Sequence, residues 1–163
     1  MQDPLPVAER LLVVLILWLI FIEKIMGLLS SKLRSWADGY GRSGLTYWCQ
    51  GCETSHQVTL KGGGPGQNWT WNGDVNNPVF GPSVVTKTGH FCSSHKPDDD
   101  CWCTFNEKHP EDEHDFKCTL CHTWVGCNGA KPGEVFFLGD CSHELKGKIL
   151  PFPDLPAYMR RNE

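Results

Sequence analysis

The sequence has no surplus of positive charge, no linear zinc-protease motif and no long amphipathic helix after Ser35. The net charge is −4, and the stretch from Asp98 to Asp115 carries many acidic residues but only one lysine. Such a stretch repels phosphate groups, so nucleic acid is not expected as a partner. His-Glu-x-x-His is absent. Without long amphipathic helices, the chain after Ser35 is predicted to be mostly β.

Cysteine, in contrast, is abundant. Nine cysteines and 17 glycines indicate a core that needs metal ions or disulfides, because a domain of roughly 110 residues buries only a modest apolar core. The odd number of cysteines argues against a purely disulfide framework, since full pairing leaves one thiol over. Two Cys-x-x-Cys pairs, Cys49/Cys52 and Cys118/Cys121, have the spacing that presents two thiolates to one tetrahedral zinc ion.

An apolar segment precedes the cysteines. Residues 11–22 are apolar without a break, and the apolar character resumes over residues 25–29. As one helix of about 19 residues, the segment would be roughly 28 Å long, close to the hydrocarbon thickness of a bilayer. Residues 11–29 are therefore predicted to insert into a membrane or to bind a hydrophobic partner protein. Basic residues follow the segment while Arg10 alone precedes it, so the positive-inside rule places the cysteine domain on the cytoplasmic side.

These features divide the chain into three parts. Residues 1–30 are predicted to be a hydrophobic membrane-anchor helix, residues 31–44 a linker, and residues 45–163 a small zinc-stabilised β domain with zinc-ribbon-like knuckles. Within that domain a hairpin is predicted at Trp69–Asp74, because alternating aromatic residues run into Asn-Gly, which favours a type I′ turn. The strand pattern is lost in an insertion over residues 90–117.

Several short motifs follow one another in an order that is specific as a set. They are Cys49 to Cys52 with His56, Trp69 to Gly73, Pro78 to Ser83, Cys121 to Trp124, and Asp140 to Gly147 before Leu150-Pro151. This order resembles a family of small phage and prophage proteins, members of which also occur in bacterial operons beside ubiquitin-like conjugation enzymes. Automatic annotation often labels that family ammonia monooxygenase or anaerobic dehydrogenase. A copper membrane oxygenase needs several spans with His ligands, however, and the apolar segment has no histidine.

The resemblance implies zinc binding and no established activity. Carried over residue by residue, it implies a main site made by Cys49, Cys52, Cys121 and His143, for which the possible substitutes are His56, His122 and Cys141. Spacing alone suggests a second site of four thiolates, namely Cys92, Cys101, Cys103 and Cys118. In a rival arrangement Cys118 and Cys121 share one site with Cys49 and Cys52, and a single site with disulfides or free thiols elsewhere is also open. One or two zinc ions are expected.

The predicted function is that of a non-enzymatic structural or interaction protein of phage or prophage origin, anchored to a membrane or attached to a virion, with an unidentified protein partner. No acid–base group is expected to face the metal, because Glu144 adjoins His143 and adjacent residues of a strand point to opposite faces. One alternative is a zinc-dependent hydrolase at a membrane surface, which needs three protein ligands and a water. Another is an extracellular domain stapled by disulfides, without zinc.

Overall fold

Two antiparallel sheets make up the fold of the computed structural model, which describes residues 27–113 and 116–161. The first sheet has four strands in chain order: β1 (Gly27–Leu28), β2 (Arg34–Ala37), β3 (Ser43–Cys49) and β4 (Thr54–Lys61). The second has five strands in chain order: β5 (Thr70–Trp71), β6 (Phe80–Lys87), β7 (Leu120–Val125), β8 (Glu134–Phe137) and β9 (Ile149–Pro151). The described residues also include helix α1 (Trp102–Lys108) and two 3-10 turns, Gly89–Phe91 and Ala157–Arg160. The prediction of a mainly β fold is confirmed.

The first sheet begins earlier than the sequence indicates. Residues 31–44, predicted to be a linker, contain β2 and the completely buried side chain of Leu33. The indole of Trp36 lies against Gly44, where a Cβ atom would be 2.9 Å from the ring and 1.9 Å from the Val58 carbonyl oxygen. Only glycine at position 44 lets the indole and the Val58 carbonyl oxygen come this close. Gly44, which suggests a linker in the sequence, is therefore part of a packed strand pair. The β domain of the structure therefore includes residues 31–44.

Strand β7 alternates between the two faces of the second sheet, as the pleat of a strand requires. Its buried residues, which face the core, are Cys121, Thr123 and Val125. Its half-buried residues, which lie on the outer face, are Leu120, His122 and Trp124. Neighbouring residues of one strand therefore serve two different environments.

Strand β6 pairs with both β5 and β7 but is irregular near its start. The pairing of Thr70 with Gly81 joins β5 to β6 as an antiparallel pair, which confirms the hairpin. The predicted type I′ turn is wrong, because residues 72–79 connect the two strands and Asn72 does not have the positive φ that this turn requires. The register with β7 shifts between Phe80 and Val84. A proline in this stretch has no N–H group for the ladder, so an irregularity is favoured there. Ser83 lies within it, outside the regular strand pairing.

The core between the sheets is built around three aromatic rings from distant parts of the chain. The ring centroid of Tyr47 lies 5.8 Å from that of Phe80 and 5.3 Å from that of Phe152. All three side chains are at most 2% exposed. Because Tyr47 belongs to the first sheet and Phe80 to the second, one apolar cluster joins the two sheets.

The predicted N-terminal helix falls mainly outside the described residues. Residues 1–26 are not among them, and the first described pair, Gly27–Leu28, is strand β1 paired with β2. No helix within residues 27–113 and 116–161 has the length and apolar character needed to cross a bilayer. The assignments of residues 11–26 and of the domain's location stay predictions.

Replacing Phe80 by alanine should destabilise the fold by about 3–5 kcal/mol, because a fully buried aromatic side chain leaves a cavity between the sheets. The matched control is Tyr40→Ala, since Tyr40 is 90% exposed and its loss should change the free energy of unfolding by less than about 1 kcal/mol. Urea unfolding at constant pH and metal concentration measures both. Equal losses in the two variants would contradict this description of the core.

Candidate active site and metal clusters

Three polar side chains form a hydrogen-bonded chain on the outer face of the second sheet. The Oγ atom of Ser83 lies 2.9 Å from Nε2 of His122, and Nδ1 of the same imidazole lies 3.0 Å from Oδ2 of Asp140. A carboxylate only accepts, so Nδ1–H donates to Asp140 and leaves Nε2 free to accept the Ser83 hydroxyl proton. We call these three residues the triad. Their order, hydroxyl to imidazole to carboxylate, is that of a nucleophile, its base and the group that orients the base.

Local structure explains how the triad assembles. The pleat of β7 directs His122 outward, and the irregularity of β6 brings Ser83 beside it. Asp140 lies in the loop that follows β8, and two backbone hydrogen bonds fix this loop along β7. They run from Leu138 N to His122 O at 2.9 Å and from Ser142 N to Leu120 O at 2.8 Å. The carboxylate is thus held beside the imidazole by main-chain bonds on both sides of it.

The electrostatics of the triad favour the same roles. The hydrogen bond with His122 lowers the pKa of Asp140, so its carboxyl group is ionised at neutral pH. An ionised Asp140 keeps the proton of the neutral imidazole on Nδ1, which is the tautomer that general base catalysis requires. The side chains of His122 and Asp140 are 24% and 53% exposed, so the triad is open to solvent and to a substrate.

A cluster of metal-ligand side chains lies on the opposite, core-facing side of β7. It consists of four residues whose ligand atoms are all within 4.8 Å of one another, Cys49, Cys52, His56 and Cys121. We call it the core cluster. The Sγ atoms of Cys49 and Cys121 are 3.8 Å apart, which equals the S···S distance of about 3.8 Å in a tetrahedral zinc site with Zn–S bonds of about 2.3 Å. Because β3, β4 and β7 each contribute, an ion here would tie the first sheet to the second.

Burial and charge both favour a cation in the core cluster. Hydrogen bonds with Cys121 and Cys52 lower the pKa of Cys49 far below its ordinary value, whereas hydrogen bonds with Cys49 and Cys52, together with burial, raise the pKa of Cys121. The opposite directions mean that one thiol ionises at the expense of its neighbours. His56 is 3% exposed, and its Nε2 has no hydrogen-bond partner among the described residues. A divalent cation would stabilise the thiolates together and pair with the imidazole.

His143 lies beside the core cluster. Its Nε2 is 3.4 Å from Sγ of Cys121, and it forms a group of possible ligands with Cys121 and Cys141. Its ring packs on the knuckle between Cys49 and Cys52, where a Cβ atom on Gly51 would be 2.3 Å from the ring carbon Cε1. A side chain at Gly51 would displace His143. Two histidines, His56 and His143, are therefore available as the fourth ligand beside three sulfurs.

The four cysteines of the predicted second zinc site do not all lie together in the structure. Cys101, Cys103 and Cys118 group with His90, which sequence reasoning did not select; we call these four residues the loop cluster. Cys92 is outside this group, and its Sγ donates instead to the carbonyl oxygen of Lys87 at 3.4 Å. The possible substitute His122 belongs to the triad. All nine cysteines lie within the described residues, and all are free thiols.

Sequence reasoning missed the triad as a site. Ser83 and Asp140 are not among the residues that the sequence selects, and His122 is selected as a possible substitute zinc ligand rather than as the base of a serine nucleophile. A signal existed, because each of the three lies in one of the ordered motifs, Pro78 to Ser83, Cys121 to Trp124 and Asp140 to Gly147. A serine, a histidine and an aspartate in separate motifs become a triad only when the sheet brings them together.

Cys121→Ser should remove about one metal ion per chain, because this fully buried sulfur lies within 4.8 Å of the ligand atoms of both histidines and of the other sulfurs and can share an ion with them. The matched control is Cys127→Ser: Cys127 is in neither cluster, and its Sγ donates to the Phe80 carbonyl oxygen. Elemental analysis of the purified variants, normalised to protein, measures the difference. Equal metal content in the two variants would contradict a metal site at the core cluster.

One family of known proteins matches this chain. The family model described as "bacterial ubiquitination-like system serine protease (BubE)" matches residues 28–131. Neither the curated proteins nor the solved structures contain a match. The matched range contains Ser83 and His122, whereas Asp140 follows it. The prediction of a non-enzymatic structural or interaction protein is wrong, because the matched family is described as a serine protease. With well over half of its length matched, the chain belongs to the BubE family of serine proteases of bacterial ubiquitination-like systems.

Proposed function

We propose that the protein is a serine protease in which Ser83 is the nucleophile, His122 the general base and Asp140 the carboxylate that orients the imidazole. The observation that carries this proposal is the continuous chain of hydrogen bonds, 2.9 Å from Ser83 to His122 and 3.0 Å from His122 to Asp140. Membership of a serine protease family supports the same reaction independently of the geometry.

The geometry supports a two-step reaction. As Oγ of Ser83 attacks the scissile carbonyl carbon, Nε2 of His122 takes the hydroxyl proton, and the Asp140 carboxylate stabilises the imidazolium that forms. The carbon–nitrogen bond then breaks, and Nε2 gives the proton to the leaving amine. A water molecule, deprotonated by the same imidazole, hydrolyses the acyl ester and regenerates Ser83.

The substrate that we propose is a polypeptide of a bacterial ubiquitination-like system, cleaved at an exposed, extended segment. The triad lies on an open sheet face rather than in a deep cavity, and the neighbouring Val85 side chain is 44% exposed. Val85 pairs with His122 in the β6–β7 ladder, so it lies directly beside the base. An accessible chain terminus or linker can reach such a surface, whereas a folded core cannot.

We propose that the ion of the core cluster is zinc and that its role is structural. Three sulfurs with an imidazole are a closed ligand set for zinc, with no position left for water. The ligand Cys121 and the base His122 are adjacent in β7 and point to opposite faces. The metal is therefore kept away from the substrate by the strand itself, and the chemistry belongs to Ser83.

A fluorophosphonate probe, which modifies activated serines, tests the nucleophile. Intact-protein mass spectrometry should show one probe adduct on the wild-type chain, mapped by peptide analysis to Ser83. Ser83→Ala should show none. Ser94→Ala is the control, since Ser94 is an exposed residue of the insertion and should not alter labelling. Labelling of Ser83→Ala at the wild-type rate would overturn the assignment.

Asp140→Asn should lower the rate of peptide hydrolysis by about 10³–10⁴-fold, because the amide no longer holds the imidazole in the tautomer that accepts from Ser83. Glu144→Gln is the matched control, an exposed acidic residue of the same loop that lacks a contact with the imidazole among the described residues. Both variants lose one negative charge. A similar loss in the two would show that charge near the site, rather than orientation of His122, explains the effect.

A further inference from the structure

The insertion carries a second set of metal-ligand side chains that the triad does not use. The ligand atoms of His90, Cys101, Cys103 and Cys118 all lie within 4.8 Å of one another. We propose that this loop cluster binds a second zinc ion and that the ion fixes the insertion to the second sheet. Three sulfurs and one imidazole are a soft, four-donor set, which favours tetrahedral zinc over metals that prefer oxygen ligands.

The distances within the loop cluster fit this ion. Nδ1 of His90 lies 3.6 Å from Sγ of Cys101. In a tetrahedral site with Zn–N of about 2.05 Å and Zn–S of about 2.3 Å, nitrogen and sulfur are separated by about 3.6 Å. The two side chains are therefore already at the spacing that a shared zinc ion requires.

Three of the four ligands come from the start and the middle of the insertion, and the fourth, Cys118, directly follows it. His90 lies in the 3-10 turn that follows β6, Cys101 and Cys103 lie at the start of α1, and Cys118 precedes β7. A capping interaction fixes Cys101 at the start of α1, because Thr104 Oγ1 accepts a hydrogen bond from the Cys101 backbone N–H at 2.8 Å. One ion would thus close the whole loop onto the ends of two paired strands.

Close packing at Gly89 brings Cys118 against the 3-10 turn Gly89–Phe91, which carries His90. A Cβ atom on Gly89 would be 2.1 Å from Sγ of Cys118, and the residue has a φ of +57°, which disfavours other side chains. The same arrangement occurs at the core cluster, where Gly51 packs against the His143 ring. In both places a glycine beside one ligand makes room for another ligand from a distant part of the chain.

The insertion buries little apolar surface, although the Trp102 and Phe116 rings stack with centroids 4.8 Å apart and Lys108 pairs with Asp100 at 2.7 Å. Neither α1 nor the 3-10 turn Gly89–Phe91 contains a buried residue. The aromatic side chains of Trp102, Phe105 and Phe116 are 41%, 42% and 61% exposed. A segment that buries so little apolar surface does not offset the entropy cost of ordering its chain. Metal binding is the usual source of the missing free energy in such segments.

The test compares the zinc content of the purified full-length chain with that of three variants. The wild type should contain about two zinc ions per chain, one for each closed set of four ligands. The double variant Cys101→Ser/Cys103→Ser should contain about one, and His90→Ala should bind the second ion more weakly against a chelator. Cys92→Ser is the matched control from the same loop and should keep the wild-type content.

Limited proteolysis and probe labelling complete the test. In the double variant, trypsin should cut the insertion at Lys108 or Lys117 several-fold faster than in the wild type, while retained fluorophosphonate labelling would report that the sheets are still folded. Unchanged zinc content in the double variant would overturn the proposal. A disulfide among the loop-cluster cysteines of the wild-type protein, purified under reducing conditions, would overturn it too. Loss of an ion from Cys92→Ser but not from His90→Ala would overturn the ligand set in favour of four thiolates.

Discussion

The pleat of β7 determines where both the core cluster and the triad lie. Cys121 is fully buried and faces the core cluster, whereas His122 faces the triad on the other side of the same sheet. Because side chains alternate with a period of two, a shift of one residue in the pairing of this strand would exchange the two environments. The register that brings a sulfur to the metal cluster therefore also brings an imidazole to Ser83.

In the loop after β8, neighbouring residues likewise face the triad and the core in turn. Asp140 is directed to the triad, while its neighbour Cys141 is buried and exchanges hydrogen bonds with the backbone of His122: the His122 N–H donates to Cys141 Sγ, which donates to the His122 carbonyl oxygen, both at 3.3 Å. Two residues further on, His143 contacts the core cluster through Cys121. Structural zinc contributes on the order of 10 kcal/mol to the folding of small domains, which is as large as the total stability of a typical domain. The proposed ion thus stabilises the elements that position the triad.

The sequence predicts the local features well and the long-range ones poorly. The mainly β character and the pairing of the strand at Trp71 with the next strand follow from alternation of residues that lie close together in the chain, although the turn between them is longer than the Asn-Gly pair predicts. The triad does not, because Ser83 and His122 are 39 positions apart and His122 and Asp140 are 18 apart. Spacing also selected Cys92 where the structure groups His90, since the path of a loop decides which neighbouring side chain reaches an ion.

The most direct test of the account is to remove the core-cluster ion while Ser83, His122 and Asp140 remain unchanged. A strong chelator would be titrated into the wild-type protein while released zinc and the rate of fluorophosphonate labelling are recorded together. We expect the labelling rate to fall in parallel with release of the core-cluster ion, which the Cys101→Ser/Cys103→Ser variant isolates, because β7 and the loop that carries Asp140 lose their shared support. A metal-free protein that remains folded and labels Ser83 at the full rate would contradict it.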